Sequence, residues 1–71
     1  MCEGNACDVV EVRWDETRSA YAFTNRGCRP VRITLVDKSA TVRIHVRGGE
    51  CGYAYLREFE YPYCVEYCDS Y

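Results

Sequence analysis

The stretch Tyr63-Cys64-Val65-Glu66-Tyr67-Cys68 sets two cysteines four positions apart among tyrosines. Four more, Cys2, Cys7, Cys28 and Cys51, precede them in a chain of 71 residues. Thiols at this density serve either as disulfide partners or as metal ligands. On an extended strand Cys64 and Cys68 lie about 13 Å apart at ~3.3 Å per residue. A disulfide needs Cα atoms within roughly 7 Å, and two sulfurs on one zinc ion stand about 4 Å apart. The pair can therefore do neither with each other, and each needs a partner elsewhere. Their common face suits them to stitch the last strand to a segment lying over it. The cysteine-bearing arm of residues 1–7 is the natural segment, which leaves Cys28 and Cys51 for each other. This pairing is one of many that six cysteines allow.

Metal binding is the weaker use of the same residues. Strong zinc signatures place C-x2-C pairs on tight turns. The spacings here are C-x4-C and C-x3-C with a single histidine, so a small metal–thiolate protein ranks third among the readings and no cofactor is expected. A chain this short buries too little apolar surface to be held by its core alone. An even number of cysteines in such a chain is the usual mark of a disulfide-stapled extracytoplasmic module. Residues 1–20 contain no basic start followed by an apolar run, so no secretion signal is visible there.

Other catalytic constellations are not found. His45 falls between Arg43 and Arg47 on a strand and reads as part of a solvated face. Ser19, Ser39 and Ser70 lack the sharp strand-to-helix setting of an activated nucleophile. Asp15–Glu16 reads as turn chemistry, and Glu58 and Glu60 as partners for arginines. The expectation is a protein that is not an enzyme. The charge is segregated, with −3 over residues 1–25, +5 over 26–47 and −4 over 48–71, a net of −2. The acidic ends oppose phosphate, and the tyrosines lie away from the basic run, so nucleic acid is not an expected partner. No apolar stretch is long enough to span a membrane.

The elements that must position these residues show period-2 alternation throughout. Val10, Val12 and Trp14 share a face, as do Tyr21 and Phe23. Val31, Ile33 and Leu35 share one, Val42, Ile44 and Val46 another, and Tyr63, Val65 and Tyr67 the last. A further mixed strand is expected over residues 52–59. Polar and glycine-bearing stretches punctuate these runs, including one that carries Asn25 and Gly27, which tolerate positive φ in a tight turn. The pattern predicts a single all-β domain: a small antiparallel β-sandwich, immunoglobulin-like, of about six short strands stapled by disulfides. An SH3- or OB-like barrel is the alternative.

Six of the seven tyrosines fall within the last 19 residues, more than so small a core can hide. Tyrosine suits contact surfaces because its ring buries area while its hydroxyl stays satisfied. The sequence therefore predicts a module that binds another protein through Tyr53, Tyr55, Tyr61, Tyr63 and Tyr67, with Arg32, Arg43 and Arg47 beside them. The alternative is an extracellular structural subunit that assembles with copies of itself. Its bridges from Cys2, Cys7, Cys28, Cys51, Cys64 and Cys68 would then run between chains, and residues 1–7 would augment a neighbour's sheet edge.

Overall fold

The structure, a computed structural model, describes residues 2–36, 40–56 and 60–68, with residues 60–62 described by their backbone alone. The elements in chain order are β1 (Cys2–Glu3), a 3-10 turn (Cys7–Val9), β2 (Val10–Asp15), β3 (Ala20–Asn25), β4 (Val31–Val36), β5 (Thr41–Val46), β6 (Cys51–Ala54) and β7 (Glu60–Tyr67). They form a four-stranded sheet in the order β1-β7-β4-β5 and a three-stranded sheet in the order β2-β3-β6. The two sheets pack face to face, so the sandwich expected from the alternation is the one that forms.

Alternation explains the packing. In β4, Val31, Ile33 and Leu35 are wholly buried while Arg32 and Thr34 point outward. Val65 of β7 and Val46 of β5 complete that sheet's inner face, and Phe23 of β3 and Ala54 of β6 meet them from the other sheet. Strand β3 is the centre of its sheet and is covered on both sides: Phe23 fills the inner face, and the small side chains of Ala20 and Ala22 vanish beneath their outer neighbours. Burial of this apolar face is the main stabilising term.

The strand order has a second consequence. Strands β2, β3 and β6 take the places of A, B and E of an immunoglobulin-like sandwich, and β5, β4 and β7 those of C′, C and F. The place of the final strand, beside β7, is filled from the opposite end of the chain. There β1 runs parallel to β7, with Cys2 beside Tyr63 and Glu3 beside Cys64. Farther along, the Ala6 N–H donates to the Val65 carbonyl at 3.1 Å, and the Tyr67 N–H donates to Asn5 Oδ1 at 3.0 Å. Gly4, at φ +107°, passes so close that an added Cβ would lie 2.2 Å from the Val65 oxygen. No side chain fits there.

Two expectations are corrected. Among the described residues the strands number seven, because residues 2–3 form one that is too short to carry a periodic signal. The arm does lie along the last strand, but hydrogen bonds rather than disulfides fasten it. Gly4 turns the arm back, bringing the Cα atoms of Cys2 and Cys7 to 6.0 Å, and these two are bridged to each other. Cys28, Cys51, Cys64 and Cys68 are thiols, so neither the Cys28–Cys51 bridge nor the stitches from Cys64 and Cys68 form. The tolerance of Asn25 and Gly27 for positive φ is not used; outside glycine, among the described residues, that conformation falls on Ser19 at 51°.

Candidate interaction surface

The outer face of the three-stranded sheet is concave. The register sets Glu11, Arg13 and Asp15 of β2 on one side, Ala20, Ala22 and Thr24 of β3 in the middle, and Cys51 and Tyr53 of β6 on the other. Because β3 presents small residues, the taller neighbours stand as walls above it. The resulting open cavity, of about 450 Å³, has Ala22 at its floor, Arg13 and Tyr53 along its sides, and the turn at residues 15–17 closing one end.

That turn is built by Asp15. Its Oδ1 accepts from the Thr17 N–H at 3.0 Å, the Arg18 N–H at 3.3 Å and the Thr17 hydroxyl, and its Oδ2 accepts from Arg18 Nη1 at 3.1 Å. A carboxylate receiving its own backbone two and three residues on is an Asx-type turn. The Thr17 hydroxyl, with the Arg18 backbone and guanidinium, holds the Asp15 carboxyl below the usual carboxylate range. Arg18 is aimed in turn: its guanidinium lies over the Tyr53 ring, 4.5 Å from the centroid. A hydrogen bond with Cys51 raises the Tyr53 phenol above its ordinary value, against the pull of the Arg18 charge. The Thr24 hydroxyl reaches the Cys51 sulfur at 3.6 Å. A polar chain therefore crosses the face from Thr24 through Cys51, Tyr53 and Arg18 to Asp15.

Aromatic surface flanks this chain. Trp14 is 42% exposed and meets Tyr21 edge to face, with centroids 5.0 Å apart. Alternation groups Trp14 with Val10 and Val12, which do pack on the core, but Trp14 sits at the strand's end and stays largely uncovered. Tyr55, 70% exposed, follows β6 and adds its electrostatic influence on Arg18.

The tyrosines predicted to share one surface are divided. Tyr53 and Tyr55 belong to the region just described. Tyr63 and Tyr67 turn inward and pack against the core: Tyr63 contacts Phe23 edge to face at 6.3 Å, and Tyr67 lies beneath the Arg29 guanidinium at 4.0 Å. The side chain of Tyr61 lies outside the described residues, as does the Glu58–Glu60 pair. Arg32 and Arg43 share the outer face of the other sheet, where Arg32 pairs with Glu66 at 3.2 Å. An ion pair this exposed stabilises by well under about 1 kcal/mol. Arg47 is exposed in the turn after β5. The sequence reading thus missed Arg13, Trp14 and Arg18; the one signal for them was a tryptophan and two arginines bracketing the Asp15 turn.

Burial, reinforced by Glu66, pushes the Cys64 thiol up and makes it a poor nucleophile at neutral pH. Among the described residues, no three histidine, cysteine, aspartate or glutamate side chains converge on a point that would hold a metal ion. No described helix is long and apolar enough to cross a membrane. Comparison of the chain with protein-family models, with curated proteins and with solved structures gave no match.

Proposed function

We propose that the protein is a non-enzymatic binding module whose contact surface for another protein is the outer face of β2, β3 and β6. The observation that carries this reading is an open cavity lined by Arg13, Trp14 and Tyr53, with the Arg18 guanidinium stacked on the Tyr53 ring, on a disulfide-bearing sandwich. Tryptophan, tyrosine and arginine are the residues that dominate binding energy at protein interfaces, where they act as rigid anchors. Here Asp15 and Tyr53 already hold Arg18 in place, which lowers the entropy lost when a partner docks. Work outside the cytoplasm, where the Cys2–Cys7 bridge stays oxidised, is part of the same proposal.

The test is substitution at exposed Trp14 and half-buried Tyr53. Trp14→Ala and Tyr53→Ala remove side chains that lie outside the buried core, so thermal unfolding should move by only a few degrees. A partner isolated with the native protein should bind each variant at least about tenfold more weakly, equivalent to ~1.4 kcal/mol. Unchanged affinity in both variants rules this face out as the contact surface.

A further inference from the structure

Strand β2 is an outer strand of its sheet, with β3 on one side and, among the described residues, no strand on the other. Antiparallel pairing fixes what that open edge presents, because successive residues bond alternately toward the neighbour and away from it. Val9 continues the β2–β3 register, and its carbonyl accepts from the Arg26 N–H at 2.7 Å. Glu11, Arg13 and Asp15 therefore bond to β3, and the backbone groups of Val10, Val12 and Trp14 face outward. The Val10 N–H already donates to the Cys7 carbonyl. What remains on the edge is the Val10 carbonyl, with the N–H and C=O of both Val12 and Trp14. The strand lacks the proline, the bulge and the inward charge that commonly protect an edge.

We propose that this edge pairs with the same edge of a second copy, antiparallel about Val12, to form a two-fold symmetric dimer. In that register each Val12 N–H donates to the Val12 carbonyl of the other copy. Each Trp14 N–H donates to the other copy's Val10 carbonyl, so Val10 supplies only the group it has left. Glu11 stands opposite the other copy's Arg13 in a non-bonded pair, where Cα atoms lie about 4.5 Å apart and side chains come closest. Symmetry makes this contact twice. On the opposite face Val10 meets the other copy's Trp14, a β-branched residue against an aromatic one, and Trp14 is 42% exposed in the single chain.

Charge selects this register. Bonding requires outward-facing residues to oppose each other, so the strands shift only in set steps. Centring the pair on Glu11 sets Glu11 against itself. Centring it on Arg13 sets Arg13 against itself and Glu11 against Asp15. Like charges directly opposite destabilise. Arg13 makes no ion pair among the described residues, whereas Glu11 is held by Arg26 at 2.8 Å and Asp15 by Arg18 at 3.1 Å. The other edges are poorer. Strand β1 has two residues, and β6 has four with Gly52 among them. Two β5 strands paired about their middle set Arg43 against Arg43 or His45. Each copy uses up the edge it pairs through, so association closes at the dimer. The product is one continuous sheet with three strands from each copy, and the two-fold axis normal to it turns both grooves to the same side. This inference concerns the edge of β2 and stands without the partner-binding reading.

The experiment is sedimentation equilibrium on the oxidised full chain over a concentration series reaching about millimolar, where weak interfaces fill. The variants are Glu11→Arg, Arg13→Glu, an equimolar mixture of the two, and the double variant. Expected is a reversible monomer–dimer equilibrium for the native chain, weakened at least about tenfold in each single variant. In the mixture a doubly basic edge meets a doubly acidic one, so dimers should return, as they should in the double variant. Hydrogen exchange should show the Val12 and Trp14 amides gaining protection with concentration while the Val10 amide stays unchanged. A native chain that remains monomeric overturns the inference. So does a dimer that both single variants retain, or a mixture that stays monomeric. If a variant fails to fold, the native amides decide, and no gain in protection at Val12 is equally fatal.

Discussion

Asn25→Ala is expected to destabilise the protein by about 3–5 kcal/mol and to lower Tm by more than ~12 °C. Among the described residues Asn25 is the buried polar one, with its side chain fully enclosed at the end of β3. Its amide nitrogen donates to the Arg29 carbonyl at 2.8 Å and to the Val46 carbonyl at 3.1 Å, and its amide oxygen accepts from the Gly27 N–H at 2.9 Å. Val46 ends β5, so one side chain ties the three-stranded sheet to the four-stranded one and shapes the intervening loop. Alanine removes the partners of three backbone groups at once, each worth about 1–3 kcal/mol when left unsatisfied out of water. Asn25→Asp is the sharper comparison. It keeps the shape and the acceptor for Gly27, but turns a charged oxygen toward two carbonyls and should destabilise at least as much. Thermal unfolding of the two variants measures this, and a shift of only a few degrees in both would refute the role.

Gly4→Ala is expected to detach the arm while leaving the rest of the sandwich folded. The added methyl group meets backbone on the far side, the Val65 oxygen at 2.2 Å and its carbon at 2.9 Å, and φ of +107° is strained for any residue with a Cβ. Neither can yield as a flexible side chain would. Losing the seat of Ala6 and the edge bonds to β7 should cost about 2–4 kcal/mol in a denaturant titration. Hydrogen exchange locates the loss: the Tyr67 amide, which donates to Asn5, should lose protection, while the amides joining β2 to β3 keep theirs. Uniform loss across both sheets would mean that the arm is integral to the whole fold rather than a cover on one edge.

The strands are legible where apolar and polar residues alternate between the two faces, as in β4. Val31, Ile33 and Leu35 against Arg32 and Thr34 leave no choice of register. What was hidden depends on distant or non-periodic contacts. Strand β1 has two residues and pairs with a strand about sixty positions away, so nothing local announces it. The Cys2–Cys7 bridge follows from the turn at Gly4, whereas an arm read as extended keeps those cysteines apart. Asn25 reads as a turn residue by type and is in fact a buried connector. Tyr63 and Tyr67 were expected both to share the face of Val65 and to form a contact surface; that face is the core, and packing claims them. The groove has no local signal in the sequence, because its floor is the alanine at position 22 and its walls come from β2 and β6, about 40 residues apart.

The state of the cysteines separates a self-complete module from a subunit bridged to its neighbours. It is read most directly by alkylating the protein in denaturant without reduction and mapping its peptides. A monomer with Cys2 linked to Cys7, and with Cys28, Cys51 and Cys64 alkylated, is the predicted result. A link from Cys2 or Cys7 to Cys64 or Cys68, a Cys28–Cys51 bridge, or any bridge between chains in the oxidised protein would contradict it.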